Sequence, residues 1–236
     1  MADLGRSHPG AAVKTHFNLS PAEYEATRVG HLHDRRRHLV DDALSLRPEP
    51  PHDVLELGCG AGTLLAQLAA HHPDTQFHGV DVDDRMVAYA SDHYAGPNIS
   101  FTHGAVGALP DGDTFDLVYS IDVIHHFHRH LEEFRAVRGV LRHGGLWLAV
   151  EPNIWHPYVT LQQERMRRAG HDEDHLRPWA IEPLFNQAGL AVVSRSYLHL
   201  LPATTRRIPR WLASAERRLE RVKCLGGSVV YRLQPR

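Results

Sequence analysis

One stretch constrains this chain more than any other. In VLELGCGAGTLL (54–65) an apolar run carrying a single acid, Glu56, meets Gly58, Gly60 and Gly62 and then turns apolar again. A short apolar run followed by closely spaced glycines reads as a strand that ends in a tight turn and opens a helix. Without Cβ atoms, that turn lets another group lie against the main chain at the helix N-terminus. In open α/β sheets the crevice beyond the carboxyl ends of the strands is where ligands bind.

The flanking residues repeat the same alternation. DVLELG (53–58), TQFHGVDV (75–82), NISFTHG (98–104), TFDLVYSID (114–122), LWLAVE (146–151), AVVSRSYLHLL (191–201) and GSVVYRLQ (227–234) read as strands. Between them GTLLAQLAAHH (62–72), DRMVAYASDHY (84–94), HLEEFRAVRGVLR (130–142, stopped by His143-Gly144-Gly145), RPWAIEPLFNQAGL (177–190) and IPRWLASAERRLERV (208–222) read as helices. In the last of these, Ile208, Leu212, Ala215, Leu219 and Val222 recur at helical spacing and are expected to face the core. Strands too apolar to alternate, each followed by a helix, argue for a mostly parallel sheet covered on both faces. Upstream, Ser20-Pro21-Ala22-Glu23 carries the N-cap, first-turn proline and capping-box glutamate of a helix start, and a polar, Arg-rich helical region is expected to run to about Leu46. Residues 1–18 lack periodicity and are expected to form a mobile arm. The expected organisation is an arm and helical cap over 1–50 and one α/β domain over 51–236, with 153–176 and 202–226 as lid or insert segments.

Composition narrows the function classes. A formal net charge of −2 over 236 residues sets up no global field toward nucleic acid or an anionic membrane. Two cysteines, Cys59 and Cys224, make neither a disulfide framework nor a thiolate metal cluster. No run approaches membrane-spanning length, and the N-terminus lacks the apolar core of a signal peptide, so a cytoplasmic location is expected. The 20 histidines include HHFHRH (125–130), where a helix would put His126 and His130 on one face at a metal-ligand spacing. No HExxH accompanies them, so solvated or hydrogen-bonded histidines without a metal are expected, and a histidine-ligated metalloenzyme is the weaker rival.

The glycine turn itself is not diagnostic. The dinucleotide pattern G-x-G-x-x-G/A fails at Thr63, and no GK[ST] supplies a phosphate-cradling loop. Glu56 lies two residues before Gly58, and Asp81 ends the second strand, where a carboxylate can accept from both hydroxyls of a ribose. Taken in order with FHGVDVDDRMV (77–87), FDLVYSIDVIHHF (115–127) and LEEFRAVRGVLRHGGLWLAVEP (131–152), this set resembles the class I S-adenosylmethionine-dependent methyltransferases. The resemblance implies a Rossmann-like, seven-stranded, mostly parallel sheet with an antiparallel last strand, helices on both faces and an N-terminal helical lid. It implies S-adenosylmethionine as cofactor. Glu56 would orient the turn and the methionine amine; Gly58 and Gly60 would pass beneath the cofactor; Asp81 would hold the ribose. Val82 and Met86 would flank the adenine, and Ser120 and Ile121 would offer main-chain groups at the methionine end. The family's usual acidic residue after the third strand is replaced by Ala105, so adenine recognition would fall to backbone groups around Gly104, Ala105 and Val106.

The implied reaction moves a methyl group from a sulfonium to an oxygen, nitrogen or carbon nucleophile held behind it. His125, His126 and Glu151 sit where strands four and five end and are the candidate bases. Ser120-Ile121-Asp122-Val123 lacks the [DNS]-P-P-[YFW] of nucleic-acid amino-methylators, so the expected partner is a small-molecule acceptor, and neither nucleic acid nor membrane; the Glu151-Pro152-Asn153 ending and the amphipathic helix before the last strand resemble bacterial methyltransferases of secondary metabolism or glycan modification. A homodimer is left open. The N-terminal helix, with Tyr24, Arg28, His31 and Arg35, and the segment from Trp155, His156 and Tyr158 are expected to cover the pocket. A methyltransferase fold with a non-methylating role, as a cyclase or a cofactor-binding regulatory module, is the alternative.

Overall fold

The computed structural model describes residues 19–45, 51–110, 112, 114–168, 177–201, 205 and 207–236. The expected arm at 1–18 therefore lies outside the described residues, as do parts of the two expected insert segments. Strands β1 (Asp53–Leu57), β2 (Gln76–Asp81), β3 (Ile99–His103), β4 (Phe115–Ile121), β5 (Leu141–Pro152), β6 (Leu190–Leu198) and β7 (Ser228–Pro235) form one sheet in the order β3-β2-β1-β4-β5-β7-β6. The pairs from β3 through β5 are parallel, and β7 runs antiparallel to both neighbours. The chain order reverses between β1 and β4, which makes their carboxyl ends the switch point where a crevice opens.

Eight helices surround the sheet among the described residues: α1 (Pro21–Thr27), α2 (His31–Ser45), α3 (Thr63–His71), α4 (Asp84–Tyr94), α5 (His130–Val140), α6 (Pro157–Arg168), α7 (Pro178–Gln187) and α8 (Arg210–Leu219). Neighbouring residues of each strand feed opposite layers. Leu55, Val118, Trp147 and Tyr231 pack with Phe134 and Val137 of α5 and Phe185 of α7. Val54, Leu117, Leu148 and Val230 pack instead with Val40 and Leu44 of α2 and Leu65 and Leu68 of α3. Both faces are thus dry, which explains why the strands read as unbroken apolar runs.

Four local expectations need correction. The Arg-rich N-terminal region is two helices, not one: α1 has the capping box at Ser20 and Glu23, and the chain breaks at Arg28–Gly30, with Gly30 at φ 94°. Helix α5 ends at Val140, before the glycines, and β5 begins at Leu141. Gly144 and Gly145 lie inside β5, where Phe115 faces Leu141 but Leu117 faces Leu146. A Cβ on Gly145 would stand 2.9 Å from the Arg142 carbonyl, so glycine there serves a bulge rather than a helix stop. The apolar stripe of α8 does not face the core. The inward side of that helix is taken by Glu216, and Leu219 and Val222 are exposed. Two buried glutamates at the end of α8 receive partners from α2: Glu216 faces His31 Nε2 at 2.6 Å, and Glu220 accepts from Arg35 at 2.6 and 2.7 Å. Nor do His126 and His130 share a helix. His126 closes a short 3-10 turn (Ile124–His126) and His130 starts α5, and among the described residues no group of three ligands could hold a metal.

Candidate active site

Four turns meet at the carboxyl edge of β1, β2, β3 and β4, and Asp81 joins three of them. Its Oδ2 accepts from the Gly60 N–H at 2.7 Å, its Oδ1 from the Asp83 N–H at 2.9 Å, and its carbonyl from the Gly104 N–H at 2.8 Å. Burial raises the Asp81 carboxyl above its ordinary value, only partly offset by these amide bonds. Each carboxylate oxygen keeps a lone pair beyond the bond described. Gly58, Gly60 and Gly62 sit at φ 75°, 52° and 79°, in the region that favours glycine. A Cβ on Gly58 would lie 2.4 Å from Val123 Cγ2, and one on Gly60 would lie 2.8 Å from Tyr24 Cε1. The close approach that the sequence demanded is therefore made, in part, by the protein's own side chains from the turn after β4 and from α1.

Helix α1 is held over this turn. Glu25 accepts from the Tyr89 hydroxyl at 2.6 Å, from Tyr94 and from Thr63 at 3.4 Å, which ties α1 to α4 and α3. Beneath it lies a crevice with about 430 Å³ of space between atoms, part of it open to solvent, lined by Tyr24, Arg28, Arg36, Glu56, Gly58 and Ile121 among others. Glu56 is buried, and its Oε2 has no hydrogen-bond partner among the described residues. Burial pushes its pKa up to about 8, against the smaller lowering effects of Tyr119 and Arg28. Glu56 lines the crevice, and a buried carboxyl with an unpartnered oxygen suits a ligand that brings a donor or a positive charge. Arg36, on the crevice wall, belongs to a charge pair that motif reading missed. Arg36 donates to Asp122 Oδ2 at 2.5 Å, with Asp122 at φ 58°. Burial pushes the Asp122 carboxyl up, but Arg36, His125 and Arg28 together hold it below its ordinary value. No local pattern could have paired residues so far apart in the chain.

The turn after β4 hangs on Glu151, near the end of β5. One oxygen accepts from the Val123 and Ile124 N–H groups at 3.0 and 2.8 Å; the other faces His125 Nδ1 at 2.6 Å. Both side chains are buried. His126 is half-buried, its ring 3.9 Å from that of His125. Ser120 is buried and accepts from Trp147 Nε1 at 3.1 Å. Of the remaining predicted residues, Val82 is exposed, Met86 and Val106 are buried, and Ala105 is exposed beside Gly104 at φ 137°. Glu56, Gly58 and Ile121 thus line one crevice, and Asp81 holds the Gly60 N–H of the adjoining turn. Val82, Met86 and Gly104–Val106 gather at the β2–β3 end, and His125, His126 and Glu151 lie behind the β4 turn.

This geometry coincides with a family match: residues 54–145 fit the model of the methyltransferase domain. Over those residues the chain carries a methyltransferase domain. It is 33% identical over 128 residues to a trans-aconitate 2-methyltransferase of Deinococcus radiodurans, covering 54% of this chain and 48% of that protein. It is 25% identical over 145 residues to a malonyl-[acyl-carrier protein] O-methyltransferase of Halalkalibacterium halodurans, covering 58% and 53%. The chain spans about half the length of these curated relatives. Among solved structures, a methyltransferase of Thermotoga maritima described as a possible histamine N-methyltransferase superposes with a TM-score of 0.65 at 15% identity, over 91% of this chain and 95% of that one. At that identity the likeness shows the fold of the methyltransferase domain. No helix among the described residues is long and apolar enough to cross a membrane.

Proposed function

We propose that the methyltransferase domain binds S-adenosylmethionine across the Gly58–Gly62 turn and transfers its methyl group to an oxygen, nitrogen or carbon of a small molecule. The observation that carries this reading is the buried Glu56 oxygen without a partner, beside a glycine turn whose edge is the Asp81 carboxylate. The cofactor supplies an electrophilic methyl on a sulfonium. Asp81 has lone pairs left for ribose hydroxyls, and Glu56 offers its unpartnered oxygen to the amine. Gly58, Gly60, Ser120 and Ile121 present main chain along the methionine. Val82 and Met86 flank the base, with Gly104, Ala105 and Val106 at its edge. Tyr24 covers Gly60 and gives way or packs alongside when the site fills.

Arg28 and Arg36 bring positive charge to the crevice for a carboxylate, the cofactor's own or the acceptor's. The two relatives are named for trans-aconitate and malonyl groups, both acids, which supports an acidic acceptor. A carboxylate nucleophile is already ionised and needs positioning more than a base. Glu151 and His125 act in this reading as positioning residues, because the Glu151 carboxylate and His125 Nδ1 are spent on each other and on the turn. His126, partly open to solvent, is the proton acceptor where an acceptor must lose one. Incubation with S-adenosylmethionine and a panel of small acids, alcohols and amines, read by mass spectrometry, tests this. A product heavier by one methyl-for-hydrogen exchange supports it. Cofactor binding with no such product from any acceptor supports instead the non-methylating role.

A further inference from the structure

The exposed side of α8 has no role in the reading above. Its inward side is acidic and fully engaged: Glu216 accepts from the Leu200 N–H at 2.9 Å and faces His31, while Glu220 accepts from Arg35 and from the His199 N–H at 2.6 Å. At 100° per residue, Trp211, Ala215, Leu219 and then Val222, in the turn that follows, fall on one outward line. Trp211 is 71% exposed, Leu219 43% and Val222 46%. Beside that line Arg217, Arg218 and Arg221 are also exposed, and among the described residues no ion pair reaches them. Seven of the 26 Lys and Arg residues fall within residues 206–223, against a chain that is net negative.

The patch continues past the helix. Asn153 holds the next turn by donating to the carbonyls of Lys223 and Gly226 at 2.8 and 2.7 Å. Lys223 Nζ thereby stands 3.8 Å over the Trp155 ring, which pairs with Trp179 at 5.4 Å. Three of the four tryptophans are thus exposed or partly so, and only Trp147 is in the core.

We propose that this face docks peripherally on a lipid bilayer with anionic headgroups, the arginines over the phosphates and Trp211, Leu219 and Val222 in the interfacial layer. An apolar line flanked by arginine on a helix of low overall hydropathy is the pattern that lies in a membrane plane. Tryptophan is the residue that settles at headgroup depth. A nucleic acid would satisfy the arginines and leave the apolar line in water, which is why a bilayer fits better. The proposal departs from the expectation of no membrane partner and is independent of the methyl-transfer reading. It also has a consequence for access. Helix α8 is pinned to α2, and α2 supplies Arg36 to the crevice, so docking would set the crevice's helical cover next to the membrane.

The test is co-sedimentation of the full chain with vesicles of phosphatidylcholine alone and of phosphatidylcholine with phosphatidylglycerol, with tryptophan emission followed in parallel. Three exposed arginines predict partition into the anionic vesicles on the order of a hundredfold stronger than into the neutral ones, weakened by salt. A blue shift on binding is expected, reduced in Trp211→Ser. Partition should be lost in Arg217→Glu/Arg218→Glu, with the circular dichroism of both variants unchanged. Equal or absent partition into the two vesicle types overturns the proposal. So does binding that survives both variants, or binding to heparin as tight as to vesicles and indifferent to Trp211→Ser.

Discussion

Replacing Glu151 by alanine removes the group that holds the turn after β4. The carboxylate is buried and accepts from the Val123 N–H at 3.0 Å, the Ile124 N–H at 2.8 Å and His125 Nδ1 at 2.6 Å. A carboxylate only accepts, so Nδ1 carries the hydrogen. Alanine leaves these donors without a partner in a dry site. Each unsatisfied buried donor costs about 1–3 kcal/mol, and breaking a buried pair by removing one member costs about 3–5 kcal/mol. A loss of about 3–5 kcal/mol is therefore expected, a large share of the roughly 5–15 kcal/mol that a domain has. Glu151→Gln keeps one carbonyl oxygen for the two backbone donors and should lose about 1–2 kcal/mol. Urea unfolding of the three proteins, with the slope compared as well as the midpoint, reads both numbers. Hydrogen exchange at the amides of Val123 and Ile124 should accelerate in the alanine variant. A loss below about 1 kcal/mol for alanine would refute the holding role. Glutamine stability equal to wild type with methyl transfer abolished would restore Glu151 as a base.

Gly60→Ala places a Cβ 2.8 Å from the Tyr24 ring at φ 52° and should cost about 1–3 kcal/mol by urea unfolding. Adding Tyr24→Ala should recover part of that loss, and strict additivity of the two would argue against the contact. His199 is buried, and desolvation, with Arg36 nearby, pulls its pKa down to about 4. The folded state thus holds it neutral while the unfolded chain takes up a proton near pH 6.5, so stability is complete above that pH. It falls by up to about 1.4 kcal/mol per unit as pH drops from about 6.5 toward 4. A slope unchanged in His199→Asn would remove this assignment. With its pKa near 8, Glu56 is mostly protonated at neutral pH, and pairing with an ammonium group ionises it. S-adenosylhomocysteine binding at pH 7 should then release a proton, seen as a dependence of the binding heat on the ionisation enthalpy of the buffer. No such dependence would put the amine elsewhere.

Much of the fold was legible because it depends on short-range patterning. The bounds expected for α4 coincide with Asp84–Tyr94, and each of the seven strands was visible at its place in the chain. Legibility failed where the deciding contact was remote in sequence. Nothing local to the Arg-rich segment marks the break at Arg28–Gly30, because a single glycine among polar residues is a weak stop. The stripe of α8 has the right period for a core helix. Its orientation is reversed by His31 and Arg35, far upstream, which give Glu216 and Glu220 a buried place. The same limit applies at the site. Gly58, Gly60 and Asp81 could be located from spacing, but not the Val123 and Tyr24 side chains that press on the turn, nor the pairing of Arg36 with Asp122. Positions that carry backbone geometry are written locally, and polar partnerships are not.

Titration calorimetry with S-adenosylhomocysteine, on the wild type and Asp81→Ala, tests the central claim most directly. The account predicts saturable one-to-one binding to the wild type and, from the loss of charge-assisted ribose bonds, affinity about tenfold or more weaker in the variant. No heat with the wild type, or equal affinity in a folded Asp81→Ala, would contradict it.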